Sequence, residues 1–147
     1  MNLITAPAPI TTTIDLFLAG GITNCPDWQT EILTHLNHLP ITIANPRRTE
    51  AFKPEDEEAQ IAWEFNALKT TQAILFWFPE ETLCPITLFE LGKFTMRKSI
   101  PVFVGTHVNY KRKNDVFFQL QLERPEIKVV HTTTELGKQV ATHFQTK

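Results

Sequence analysis

The chain predicts an α/β protein built on a five-stranded, mainly parallel sheet with helices on both faces. Three observations carry that expectation. Its 147 residues suit one domain of ordinary size. Short, nearly continuous apolar runs recur along it, as expected of strands buried on both sides. Between them lie longer segments whose apolar residues repeat at helical spacing, so successive strands are joined by crossover helices and lie parallel.

Residues 1–13, with Pro7, Pro9 and Thr11-Thr12-Thr13, read as an extended N-terminal arm before a single domain over 14–147. The first strand, 14–19, is stopped by Gly20-Gly21. A helix begins near Pro26 and carries Trp28, Ile32, Leu33 and Leu36. The second strand, 41–44, ends at Asn45-Pro46-Arg47-Arg48. Acidic residues 55–58 then lead into a helix with Ile61, Phe65 and Leu68, and negative charge suits that end of a helix. Residues 73–78 are the most hydrophobic run and the expected central strand, which Pro79 closes. Pro85 opens a helix reaching about Arg97, and a fourth strand, 100–104, is closed by Gly105. A helix over 114–122, a fifth strand at 127–130 and a final helix complete the set; Thr132 and Glu135 have capping-box spacing. Ligands of such folds sit outside the carboxyl ends of the strands. Four polar clusters fall there: 20–27, 45–48, 79–85 and 105–115.

Composition removes several function classes. A net charge of −2, from 14 basic and 16 acidic side chains, gives no electrostatic footprint for nucleic acid or an anionic membrane. The two cysteines and five histidines show no metal-ligand or redox spacing. No G-x-S-x-G pattern surrounds Ser99, the only serine, which excludes a serine hydrolase of that type. The N-terminus has neither the basic nor the apolar region of a signal peptide, and no apolar run approaches a bilayer span. A reduced, cytoplasmic protein is expected.

Two glutamates misfit their surroundings. Glu64 lies three residues after Ile61 and four before Leu68, on the apolar stripe of its helix. A carboxylate there is either a structural ion pair at the stripe's edge or is aimed into a cavity. Glu90 is the sole charge in Pro85-Ile86-Thr87-Leu88-Phe89-Glu90-Leu91-Gly92. It is either an exposed helix glutamate or a nucleophile kept ionised by the nearby amide-rich helix end. Gly92 leaves room for a ligand or a neighbouring backbone. Paired carboxylates on adjacent βα units are what retaining glycosyl transfer requires.

The loop from Gly20-Gly21 to Asp27-Trp28 is neither a dinucleotide fingerprint nor a P-loop, yet its glycines let a ligand reach the backbone. Asp27 offers a hydrogen-bond acceptor and Trp28 an aromatic wall, or else a first-turn acid and a core ring. Asn45 and Arg47 can orient a polar ligand. Lys111-Arg112-Lys113 reads as a solvated loop beside Asn114-Asp115, which either bind a hydroxyl or begin a helix.

Taken in order, Phe17-Leu18-Ala19-Gly20-Gly21, Pro26-Asp27-Trp28-Gln29, Asn45-Pro46-Arg47-Arg48, Trp63-Glu64-Phe65-Asn66 and Phe89-Glu90-Leu91-Gly92 resemble the nucleoside 2-deoxyribosyltransferases that accept purines and pyrimidines. The resemblance runs from about Ile14 to Gln121. It implies a flavodoxin-like three-layer fold and transfer of 2-deoxyribose between nucleobases in nucleoside salvage. The family nucleophile falls on Glu90, and the family's second acid, an aspartate in many members, on Glu64. An aromatic that is a tyrosine in some relatives falls near Phe17, which has no hydroxyl to orient the nucleophile. A base-binding aspartate of some relatives falls on Cys84, with Asp27 as its candidate substitute. Trp28, Trp63 and Phe78 are the expected base-stacking walls. The resemblance further implies dimers assembled into hexamers, with Asn114 or Asp115 of a neighbouring subunit at the sugar 5′-hydroxyl. No metal or redox cofactor is needed. The rival readings are an N-glycosidase acting on nucleosides or their 5′-monophosphates, and a non-catalytic nucleotide-binding module.

Overall fold

In the computed structural model, which describes residues 1–146, five strands form one parallel sheet. They are β1 (Asn2–Thr5), β2 (Leu16–Gly20), β3 (Thr42–Asn45), β4 (Ala73–Phe78) and β5 (Val102–Thr106). Their order across the sheet is β1-β3-β2-β4-β5. Lys147, the last residue of the expected domain, lies outside the described residues. Five α-helices accompany the strands: α1 (Trp28–Leu36), α2 (Glu57–Thr70), α3 (Pro85–Thr95), α4 (Lys113–Glu123) and α5 (Thr133–Gln145). A 3-10 turn, Pro54–Asp56, leads into α2.

Alternation along each strand divides two hydrophobic layers. Leu16 and Leu18 of β2, with Ala73, Leu75 and Trp77 of β4, pack under α1 and α5 against Trp28, Ile32, Leu36, Leu136 and Val140. Phe17, Ala19, Ile74, Phe76 and Phe78 face the other way, toward Leu68 of α2, Leu91 and Phe94 of α3, and Val116 and Leu120 of α4. Every residue of β4 is buried, as its unbroken apolar run requires. Each large side chain so buried contributes about 1.5–3 kcal/mol of transfer free energy. This is the expected three-layer, flavodoxin-like arrangement.

The sheet has five strands, but not the expected five. The arm holds β1, which pairs in parallel with β3 from Asn2↔Thr42 to Thr5↔Asn45. The open ladder of β3 offers hydrogen bonds that a short N-terminal segment can take, and the Trp63 indole N–H ties the following turn by donating to the Ala8 carbonyl at 2.7 Å. Residues 127–130, in contrast, form a single bridge between Val130 and Gly105. Pro125 lacks an N–H, and the Ile127 N–H turns back to the Arg124 carbonyl at 2.9 Å, so the ladder has no run in which to form. The expected capping pair forms in part: Thr132 Oγ1 accepts the Glu135 N–H at 3.1 Å and its hydroxyl donates to the Glu135 carboxylate at 3.0 Å.

The connection from β2 to α1 is locked from below. Trp28 is buried, and its indole N–H donates to the Gly21 carbonyl at 2.8 Å. A Cβ on Gly20 would meet the Trp28 ring and lie 2.6 Å from the Trp77 carbonyl oxygen, so only glycine fits. Trp28→Phe keeps an aromatic ring but loses the pyrrole ring and its N–H, leaving a small cavity and a stranded buried carbonyl. The expected outcome is a loss of about 1–3 kcal/mol in urea unfolding, at unchanged m-value.

Candidate active site

Outside the carboxyl ends of β2, β3 and β4, where strand order reverses, lies a cleft of about 940 Å³. Phe17, Ala19, Gly20 and Gly21 line it from β2; Gln60, Ile61, Glu64, Phe65 and Leu68 from α2; and Thr87, Phe89, Glu90, Lys93 and Phe94 from α3. The connection after β3 adds Arg47, Arg48 and Phe52. The apolar stripe of α2 divides between core and cleft. Only Leu68 faces the core fully; Ile61 and Phe65 are 60% and 49% exposed and border the cleft instead.

Glu64 and Glu90 meet in this cleft. Gln60, one helical turn before Glu64, donates from Nε2 to Glu64 Oε1 at 2.7 Å. Burial pushes the Glu64 carboxyl up, and the Gln60 hydrogen bond and the Arg48 charge partly offset it. Glu90 is pushed up to about 8, first by burial and then by the charge of Glu64, against a smaller opposing effect of Lys93. The helix end does not keep Glu90 ionised, contrary to expectation. α3 starts at Pro85, and the terminal field fades within one turn, whereas Glu90 sits in the second. Gly92 has no atom within 4 Å of an added Cβ, so it shapes no close approach.

Of the expected binding residues, Phe17, Gly20, Gly21 and Arg47 reach the cleft with the two glutamates. Arg47 is committed to the loop beneath it: Nε donates to Gln29 at 2.8 Å and Nη2 to the Pro26 carbonyl at 3.0 Å. The others do not line the cleft. Asp27 caps α1, accepting the Thr30 N–H at 3.1 Å and its hydroxyl at 2.7 Å. Trp28 is core. Asn45 is buried, and its side chain accepts the Arg47 N–H at 3.0 Å, which shapes the turn after β3. Trp63 stands behind Phe17, ring centroids 6.4 Å apart. Phe78 is fully buried against Tyr110, 5.2 Å between centroids. Asn114 and Asp115 lie in a shallow surface depression on α4 with Phe118 and Leu122.

Several lining residues were missed. Gln60 carries the most consequence, and its i, i+4 spacing to Glu64 was the available signal. Phe89 and Ile86, from the apolar stretch around Glu90, border the cleft. Cys84, which precedes α3 with a positive φ of 48°, also lines it. Its thiol is pushed up to about 11, mainly by burial, and stays neutral where the resemblance implied an aspartate in some relatives. Among the described residues, no group of three His, Cys, Asp or Glu is placed to hold a metal ion. No helix among them is long and apolar enough to cross a membrane.

A parallel sheet whose strand-order reversal opens onto two coupled glutamates defines the class: an α/β protein with a two-carboxylate site. Residues 13–108 match the family described as nucleoside 2-deoxyribosyltransferase like, and the chain belongs to that family. The matched span holds both glutamates and every residue lining the cleft. No curated protein matches the chain.

Holding Glu90 neutral has a stability consequence. Its folded value lies well above the unfolded one, so between about pH 4.5 and 8 the folded state binds more protons than the unfolded chain. Stability from this group is full below that window and is lost as pH rises through it. Glu90→Gln removes the loss. Its melting temperature is expected to exceed wild type by about 2–6 °C at pH 9 and to converge with it near pH 5, in paired thermal melts.

Proposed function

We propose that the protein transfers 2-deoxyribose from one purine or pyrimidine base to another, through a deoxyribosyl group carried on Glu90 with retention at C1′. The observation that carries this reading is the coupling of Glu64 and Glu90 in one cleft of a chain that belongs to this family. Two interacting carboxylates hold one proton between them at neutral pH. That proton is what a departing base needs. As the proton passes from Glu90 to Glu64, the Glu90 carboxylate attacks C1′ and the C1′–N bond breaks. Its electron pair goes to the base, which takes the proton from Glu64. An incoming base reverses each step: it attacks C1′ from the face the first base left, opposite the bond to Glu90, its N–H proton goes to Glu64, and Glu90 leaves as carboxylate. The pair is then restored with one proton.

Neutral nucleosides suit this cleft better than 5′-monophosphates. Arg47 is tied to Gln29 and Pro26, and Arg48 to Gln60 at 2.7 Å and Asp56 at 3.2 Å, so both guanidinium groups already have protein partners. Lys93 lies over the Phe65 ring, 4.9 Å from its centroid. Thr23, Thr82 and Cys84 offer neutral polar groups to a base. Phe17 and Phe94 give the reacting carboxylates an apolar setting that excludes water. The reading includes a homo-oligomer in which a neighbouring copy completes the site, and a role in nucleoside salvage. The exposure of Ile86 and Phe89 at the cleft, 65% and 69%, supports such a cover.

The direct test is incubation with deoxyinosine and free cytosine or adenine, followed by chromatography. New deoxynucleoside in step with hypoxanthine release is expected; hypoxanthine with only free deoxyribose means a hydrolase, and no turnover contradicts both. Glu90→Ala is expected to abolish exchange with an unchanged circular dichroism spectrum. The profile of kcat/KM is expected to fall as pH rises past about 8, where the pair loses its proton. Glu64→Gln should remove that alkaline fall and lower the rate by roughly 10²–10⁴-fold. An alkaline fall kept in Glu64→Gln would return Glu64 to a structural role.

A further inference from the structure

Gln60 is buried on α2 and spends both N–H bonds and its carbonyl. Its Oε1 accepts from Arg48 Nε at 2.7 Å, while Nε2 donates to the Pro46 carbonyl at 3.0 Å and to Glu64 Oε1 at 2.7 Å. Only one orientation of the amide is compatible with those neighbours. Turned over, it would set its NH₂ against the guanidinium and its oxygen against both a carbonyl and a carboxylate. Arg48 is itself held by Asp56 at 3.2 Å and lies over the Phe52 ring, 5.8 Å from its centroid. A chain of contacts therefore runs from Asp56 at the surface through Arg48 and Gln60 to Glu64.

We propose that Gln60 is a positioning residue: its one-way amide fixes Glu64 as a hydrogen-bond acceptor and so assigns the proton of the carboxylate pair to Glu90. A donated N–H favours the charged form of a carboxylate, here Glu64. Among the described residues no hydrogen-bond donor reaches the Glu90 carboxyl, which also feels Glu64's charge, so the proton rests there. The other titratable or charged side chains lining this cleft are Arg47, Arg48, Glu50, Glu57, Cys84 and Lys93. Of these, Arg48 opposes protonation of Glu64, and Lys93 opposes protonation of Glu90. What the assignment achieves rests on the base-exchange reading. It makes Glu64 the free base that receives the Glu90 proton and hands it to the departing base, still anchored through Oε1.

The test needs no turnover. Glutamate carboxyl carbons are followed by ¹³C NMR from pH 3 to 10 in the full chain without substrate, with Glu64 and Glu90 assigned from Glu64→Gln and Glu90→Gln. In wild type Glu64 is expected to report the acid step and Glu90 the step near 8. In Gln60→Met, which keeps the volume without the amide, the acid step is expected to move up by about 1 pH unit and both carboxyls to report both steps. Gln60→Asn keeps an amide one methylene short of Glu64 and is expected to give the same shift, so it decides the matter if Gln60→Met does not fold. An acid step unmoved in the folded variant overturns the proposal, because a merely structural Gln60 would change stability and leave the titration in place. Failure of base exchange in wild type would sink the functional reading and leave this result standing.

Discussion

Two like-charged carboxyl groups share a cleft from which water is partly excluded, and much of the surrounding structure makes that tolerable. Left alone, a second charge beside Glu64 would be opposed both by desolvation and by repulsion. The protein answers with unequal neighbours. Glu64 has an amide donor and a guanidinium behind it; Glu90 has a lysine at a distance and apolar rings around it. The site therefore carries a proton that costs stability as pH rises. A cost of this kind is characteristic of groups retained for chemistry rather than for folding.

The sheet makes the meeting possible. Glu64 and Glu90 come from the helices before and after β4, and the all-parallel topology brings those two helices to the same face and the same end. β4 is buried throughout and pairs with β2 over five residues, from Leu16↔Ala73 to Gly20↔Trp77, so both helices are referred to one rigid frame. Trp28 and Gly20 fix the first loop from beneath, while Tyr110 steadies the loop before α3 by donating its hydroxyl to the Leu83 carbonyl at 2.9 Å. The aromatic residues near the cleft thus divide their work: Phe17, Phe52, Phe65, Phe89 and Phe94 line it, and Trp28, Trp63 and Phe78 hold up what lines it.

The sequence made the two glutamates legible because each interrupts an apolar pattern, and a buried charge is rarer than a buried ring. The central elements were legible for the same reason, since β4 is one unbroken apolar run. The edges were not. β1 is four residues beside two prolines, with no period to read, and it exists because β3 offers an unpaired side. Residues 127–130 have strand composition but follow a proline and a turn that leave one bridge. Asp27, Trp28 and Asn45 stand at the right end of the sheet, yet local hydrogen bonds use their polar atoms. Helical periodicity cannot tell a stripe that faces a core from one that faces an open cleft, so it left the side of Ile61, Phe65 and Phe89 unresolved. Gln60 showed only its i, i+4 spacing to Glu64, an ordinary pairing until Arg48 fixes the direction of its amide.

The central claim is a covalent bond between Glu90 and C1′ of deoxyribose. Its most direct test mixes the protein with a deoxynucleoside and no acceptor base, quenches in acid, digests and weighs the peptides. The account predicts one added deoxyribosyl group on the peptide that holds Glu90, and on that residue by fragmentation. The group should be lost when a second base is added before the quench. An adduct on Glu64 or any other residue, or exchange that proceeds with no adduct at all, would contradict it.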